Sequence, residues 1–94
     1  MRSIGIDIGK RKCVVCVMDG RGNVLERTSY ENTLDDATAM ARNLKRKYRN
    51  CQAACESTGN YWLKTFDAFQ RTGIPIKLAN PFKLKIISLS LIHI

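Results

Sequence analysis

The chain has 94 residues, of which 45% are hydrophobic and 26% charged, a balance that suits one small globular domain and argues against disorder. No window approaches the roughly 20 apolar residues that a bilayer span needs, and the opening Met1-Arg2-Ser3-Ile4-Gly5-Ile6-Asp7 lacks the apolar core of a secretory signal, so no membrane partner and a cytoplasmic location are expected. The 16 Lys and Arg against 8 Asp and Glu leave a net charge of +8, which favours a polyanionic partner, nucleic acid first among them.

Residues 3–8 alternate Ile4, Ile6 and Ile8 with small or polar residues, the period of a strand. Gly9 opens a basic turn, Lys10-Arg11-Lys12. The apolar, β-branched run Cys13-Val14-Val15-Cys16-Val17-Met18 predicts a second, well-buried strand, ended by Asp19-Gly20 and Gly22-Asn23. A third strand is expected over about 23–31, with Val24, Leu25 and Tyr30 as its apolar positions. Thr33 followed three residues later by Asp36 resembles a capping box, and Leu34, Ala37, Met40, Ala41, Leu44 and Tyr48 recur at helical spacing, which predicts a helix over about 34–48. Lys45, Arg46, Lys47 and Arg49 at its far end complement the negative pole of the helix dipole, with contact to DNA as the alternative.

Cys51-Gln52-Ala53-Ala54-Cys55-Glu56 is short, small and mostly apolar, and fits a buried strand that ends on a carboxylate. Gly59-Asn60 opens a second helix in which Trp62, Phe66 and Phe69 recur at i, i+4 and i+7 with Leu63 beside them as a core stripe, stopped by Gly73 and Pro75. Residues 74–79 form a final strand, and Pro81 starts a basic segment with Lys83 and Lys85. The order is β-β-β-α-β-α-β, with no internal repeat. Strands joined through helices must run parallel, so three meandering strands and two parallel ones make a mixed sheet. The expected class is α/β, with a ribonuclease H-like architecture.

The four cysteines, Cys13, Cys16, Cys51 and Cys55, invite a zinc reading from their spacing. Alternation along a strand sends Cys13 and Cys16 to opposite faces, so the reading adopted is small buried hydrophobes. Two acids stand at strand positions that the topology makes neighbours, Asp7 and Glu56. Side by side they repel each other unless a divalent cation compensates, and hard oxygen donors suit Mg2+ or Mn2+. Such ions can activate the attacking oxygen and stabilise the leaving oxygen of a displacement at phosphorus. A complete site of this kind needs about three or four carboxylates, and no acid follows Asp67 in this chain.

The segments Ile4-Gly5-Ile6-Asp7-Ile8-Gly9-Lys10, Cys55-Glu56-Ser57-Thr58-Gly59-Asn60-Tyr61-Trp62 and Leu78-Ala79-Asn80-Pro81-Phe82-Lys83 closely resemble, in order and spacing, the insertion-sequence one-hundred-and-ten family of transposases. The resemblance implies a RuvC-like domain in which Asp7 matches the first aspartate and Glu56 the glutamate of a DEDD tetrad, both as catalytic residues and as metal ligands. It implies that the other two aspartates follow the Asn-Pro-Phe segment in a stretch this chain lacks, that a serine-bearing domain comes later, and that the fold here is incomplete at its C-terminus. For the full-length protein it implies metal-dependent DNA strand cleavage and transfer, with Mg2+ or Mn2+ expected only where the missing aspartates are present, and with DNA, a structured guide RNA and a homo-oligomeric assembly. The isolated chain is not expected to recombine DNA.

Leu89-Ser90-Leu91-Ile92-His93-Ile94 fits no family pattern and reads as translated sequencing adapter. The expected division is a domain over 1–88 and a foreign tail over 89–94. Sequencing the source locus across this junction tests that reading. Lys10, Arg11 and Lys12 beside Asp7 are expected to contact phosphates, giving affinity without sequence reading, and Asn60, Tyr61 and Trp62 follow Glu56 closely enough to rim the site. A sugar-kinase or actin-like ATPase fragment is the rival. It shares the fold and the opening strand with its Asp and Gly, but its phosphate loop favours Gly with Thr or Ser where Lys10-Arg11-Lys12 stand. A noncatalytic nucleic-acid-binding remnant is the third reading, and dependence on metal through Asp7 and Glu56 separates it from the first.

Overall fold

Alternating side chains decide which face of each strand is buried. In the computed structural model, which describes residues 1–56 and 59–79, β1 (Arg2–Asp7) buries Ile4 and Ile6, and β2 (Lys12–Met18) buries Cys13, Val15 and Val17. β3 (Val24–Glu31) buries Tyr30 alone, and β4 (Cys51–Glu56) buries Cys51, Ala53 and Cys55. β5 (Ile76–Ala79) completes a sheet of order β3-β2-β1-β4-β5. The β1–β2 and β2–β3 pairs are antiparallel, and the β1–β4 and β4–β5 pairs are parallel. This is the expected mixed sheet, with the N-terminal strand at its centre.

α1 (Leu34–Tyr48) starts where Thr33, in extended conformation, accepts the Asp36 N–H at 3.1 Å. Only that half of the capping box forms, because the Thr33 N–H donates to the Glu31 carbonyl at 2.7 Å. Ala37, Ala41 and Leu44 are its buried stripe, with Met40 and Tyr48 packed beside it. Two of its basic terminal side chains bind within the chain. Lys45 Nζ donates to the Gly73 carbonyl at 3.1 Å, and Lys47 pairs with Glu26 at 3.0 Å.

α2 (Leu63–Thr72) buries Thr65, Ala68 and Phe69. It starts later than the Gly59-Asn60 signal predicts, since residues 59–62 form a turn closed by the Leu63 N–H on the Asn60 carbonyl at 3.4 Å. The aromatic stripe is core in part: Phe69 is fully buried, while Trp62 and Phe66 are half-buried and meet edge to face at 5.6 Å. Leu63, expected beside that stripe, is 50% exposed. It precedes Thr65 by two residues, which on a helix turns it to the opposite side. Gly73 then closes the helix at φ 89, a left-handed conformation that glycine adopts without a Cβ penalty.

Val24 and Leu25 also depart from expectation, at 41% and 42% exposed. Neighbours on a strand cannot both face the core. Here the β2–β3 register also shifts at Val17/Met18, and Glu26 takes the helix-facing place, accepting from the Tyr48 hydroxyl at 2.6 Å.

Both helices lie on the face to which Ile4, Ile6, Cys13, Val15, Val17, Ala53 and Cys55 point. The other face of the sheet carries Gly5, Val14, Cys16, Ala54 and Lys77, none of them fully buried. Ser57, Thr58, the Asn80-Pro81-Phe82-Lys83 segment, the basic run after it and the expected tail at 89–94 lie outside the described residues.

Candidate active site

β1 and β4 run parallel at the centre of the sheet, with Ile6 opposite Cys55 as the last pair of their ladder. Asp7 and Glu56 are the next residues of the two strands, each at a carboxyl end. Adjacent strands lie about 4.8 Å apart, and residues in register point to the same side. Since Ile6 and Cys55 both face the core, Asp7 and Glu56 both face the open side of the sheet. Asp7 is exposed and Glu56 half-buried. The two acids singled out from the sequence are thus brought together. Ligands of open α/β sheets gather at the carboxyl ends of strands, which is where this pair stands.

The flanks of the pair are also fixed by register. Val14 on β2 stands opposite Asp7, and Ala79 on β5 opposite Glu56. Lys12 is two residues from Val14 on the same face, so it is a diagonal neighbour of Asp7, about 7–8 Å away by strand geometry. Its register partner is Glu31, yet among the described residues Lys12 makes no ion pair. Lys10 and Arg11 lie at the exposed tip of the hairpin, off the strand. Of the three basic residues read together in the sequence, Lys12 alone shares the strand face of the acids. Tyr61 is exposed near the rim, and the half-buried Trp62 spends its indole N–H on the Gly59 carbonyl at 2.8 Å.

Two residues shape this end of the sheet: Gly9, read in the sequence only as the start of the basic turn, and Asn32, which sequence reasoning passed over. Gly9 passes so close to the Lys12 backbone that a Cβ on it would stand 2.3 Å from the Lys12 carbonyl oxygen. Asn32, between β3 and α1, is 7% exposed. Its Nδ2 donates to the Gly9 carbonyl at 2.8 Å and to the Tyr61 carbonyl at 3.0 Å, and its backbone N–H donates to the Arg11 carbonyl at 2.8 Å. The only sequence signal for Asn32 was its place before the Thr33 cap, which reads as an ordinary turn.

The donor set suits a hard divalent cation: two carboxylates side by side on an open face. Among the described residues no group of three or more His, Cys, Asp or Glu side chains converges on such an ion, so the remaining oxygens of a six-coordinate shell would be water or further donors. Of the cysteines, Cys13, Cys51 and Cys55 lie in the core, and Cys16 is half-buried on the other face. Burial pushes the Cys55 thiol up to about 11. An open cleft of about 340 Å³ lined by Met1, Arg2, Lys47, Tyr48, Arg49 and Asn50 lies at the other end of β1 and takes no part in this site.

A family described as transposase, the DEDD transposases of the IS110 type, matches residues 4–92. Among curated proteins none matches. Among solved structures the chain is similar to RuvC of Thermus thermophilus in complex with a Holliday junction substrate, at 14% identity and a TM-score of 0.73, covering 96% of this chain and 75% of that one. A second structure of Thermus thermophilus RuvC matches at 17% identity and a TM-score of 0.69, over 90% of this chain and 67% of that one. The large terminase nuclease of the thermophilic phage G20c matches at 22% identity and a TM-score of 0.66, over 98% of this chain and 53% of that one. At these identities the likeness establishes the fold, which is RuvC-like and ribonuclease H-like.

Proposed function

We propose, from the premise that this chain belongs to the DEDD transposase family, that Asp7 and Glu56 are two of the carboxylates that hold Mg2+ or Mn2+ for strand cleavage and transfer on DNA. The observation that carries this reading is the register of β1 and β4, which sets both acids side by side on the open face at the carboxyl ends of adjacent strands. A bound divalent cation would supply Lewis-acid stabilisation of a phosphorus-centred displacement. Asp7 and Glu56 hold and orient the cation through their oxygens, and each keeps the other's charge within reach of it. Ala79, the last described residue of β5, stands opposite Glu56, and the family's remaining aspartates complete the site.

Lys12, on the same face as Asp7, holds a phosphate of the DNA backbone near the acids, and Lys10 and Arg11 extend the contact along the strand from the hairpin tip. Such contacts set affinity and salt dependence rather than sequence choice. A structured guide RNA and a homo-oligomer, both implied by the family, belong to the same proposal for the full-length protein. No described helix is long and apolar enough to cross a membrane.

Titration of the full-length protein, with the missing aspartates present, with Mn2+, followed by electron paramagnetic resonance, tests the site directly. Asp7→Asn and Glu56→Gln are each expected to weaken Mn2+ binding by tenfold or more. Variants that bind Mn2+ like the unaltered protein would refute the assignment and leave a nucleic-acid-binding module without a metal site. In the full-length protein the same substitutions are expected to abolish Mg2+-dependent cleavage. Replacing Lys10, Arg11 and Lys12 by Ser lowers the slope of log affinity for DNA against log salt by about 0.9 for each phosphate that is no longer neutralised.

A further inference from the structure

We infer that Asn32 is a positioning residue for the carboxylate pair, an inference that rests on the metal-site reading above. The hydrogen-bonded ladder between β1 and β4 stops at Ile6 and Cys55, one residue short of the acids. Beyond it Asp7 is held by its outer neighbour on β2 and Glu56 by its outer neighbour on β5, opposite Val14 and Ala79. The ladder sets the two acids side by side, and past them β1 and β4 form no further pair among the described residues.

The cross-connection just past that point is the Asn32 side chain. One amide group donates to the carbonyl of Gly9, two residues after Asp7, and to the carbonyl of Tyr61, in the turn that follows Glu56. A single planar NH2 with two donors at a fixed angle sets the separation of those two carbonyls, as a ladder bond would between strands. Asn32 is itself immobilised. It is 7% exposed, its N–H is bound to the Arg11 carbonyl, and its own carbonyl accepts from Lys64 Nζ at 3.4 Å. Its Oδ1 has no partner among the described residues, so the amide keeps its place through Nδ2. A buried carboxamide that spends both side-chain donors on the segment just past Asp7 and on the 59–62 turn acts on the placement of the acids without touching the cation.

Mn2+ binding to the full-length protein, measured for Asn32→Ala beside Asp7→Asn and Thr65→Val, tests this. Groups that orient metal ligands change metal affinity by about 10–100-fold. Asn32→Ala is expected to weaken Mn2+ binding about tenfold. Thr65→Val, which breaks a buried hydroxyl pair with Tyr30 in the core and touches neither segment, is expected to leave it within about twofold. Should Asn32→Ala fail to fold, Mg2+ titration of the unaltered full-length protein by NMR replaces it, and the Asn32 side-chain amide resonances are expected to move with the metal. Unchanged Mn2+ affinity in Asn32→Ala, or unmoved Asn32 resonances, with binding lost in Asp7→Asn, overturns the role of Asn32 and leaves the metal site standing. Binding that survives Asp7→Asn overturns the metal site itself, and the role of Asn32 with it.

Discussion

Gly9→Ala is the substitution whose cost can be worked most directly from the structure. The added Cβ would lie 2.3 Å from the carbonyl oxygen of Lys12, a backbone atom, where real Cβ contacts do not fall below 3.0 Å. Relief requires the β1–β2 hairpin to open by several tenths of an ångström. Overpacking of this kind costs about 1–3 kcal/mol. The same shift stretches the 2.8 Å bond from Asn32 to the Gly9 carbonyl, worth about 1 kcal/mol net. A loss of about 2–4 kcal/mol follows, and in a domain of this length each kcal/mol moves Tm by about 4–8 °C. Tm should therefore fall by roughly 10–30 °C. Gly5→Ala is the internal control, because its Cβ would meet nothing within 4 Å. It should be neutral, or stabilising by about 0.5 kcal/mol through the unfolded chain. Urea unfolding followed by the fluorescence of the single tryptophan, Trp62, measures both. If Gly9→Ala unfolds at the same urea concentration as Gly5→Ala, the hairpin does not close as tightly as that Gly9–Lys12 approach requires, and the predicted clash is refuted.

Two further outcomes concern protonation. The Tyr48 hydroxyl and the Lys47 ammonium hold the Glu26 carboxyl below its usual 4.5. A lowered folded-state value gives stability that is present above pH 4.5 and lost as pH falls through the folded value. The stability gap between the unaltered chain and Glu26→Gln should therefore narrow below pH 4.5, and a gap constant from pH 7 to pH 3 would refute the pairing. Burial raises the Cys55 thiol from 9.0 to about 11 and shifts Cys51 in the same direction. The stability that accompanies the neutral Cys55 thiol is present below pH 9 and lost as pH rises towards 11. At pH 8 a thiol reagent should label Cys16 quickly and Cys13, Cys51 and Cys55 only at the rate of opening. Four thiols reacting in one fast phase would contradict the burial.

The sheet was legible because its signals are local. Ile4-Gly5-Ile6-Asp7 and the Cys13–Met18 run carry their period in consecutive residues, and Thr33 and Gly73 mark helix ends by their own chemistry. The errors fall where local pattern is silent on direction. Val24 and Leu25 are both apolar, but β3 is an edge strand whose helix-facing place went to Glu26. Leu63 sits beside an aromatic stripe in sequence and on the other side of the helix in space. Of the candidate site, the neighbouring places of Asp7 and Glu56 could be read because the topology pairs the two strands that they end, whereas Glu31 also ends a strand but on the sheet edge. The roles of Gly9 and Asn32 could not be read, since each depends on a partner brought near by tertiary structure, the Lys12 carbonyl for one and the Tyr61 carbonyl for the other. Lys10, Arg11 and Lys12 read as one cluster in sequence, and the start of β2 at Lys12 is what separates the third from the first two.

The central parallel pair has a consequence for the order of events as the chain folds. Asp7 emerges on a hairpin whose pairing is local, whereas Glu56 reaches it only after β3 and all of α1 have been traversed and the crossover has closed. Non-local strand pairings of this sort form late, because the entropy of closing the loop must be met before any contact repays it. A nascent or partly unfolded chain therefore carries the first acid without the second. Whatever chemistry the two acids perform is withheld until the crossover is complete, so the pair comes together only in the finished fold.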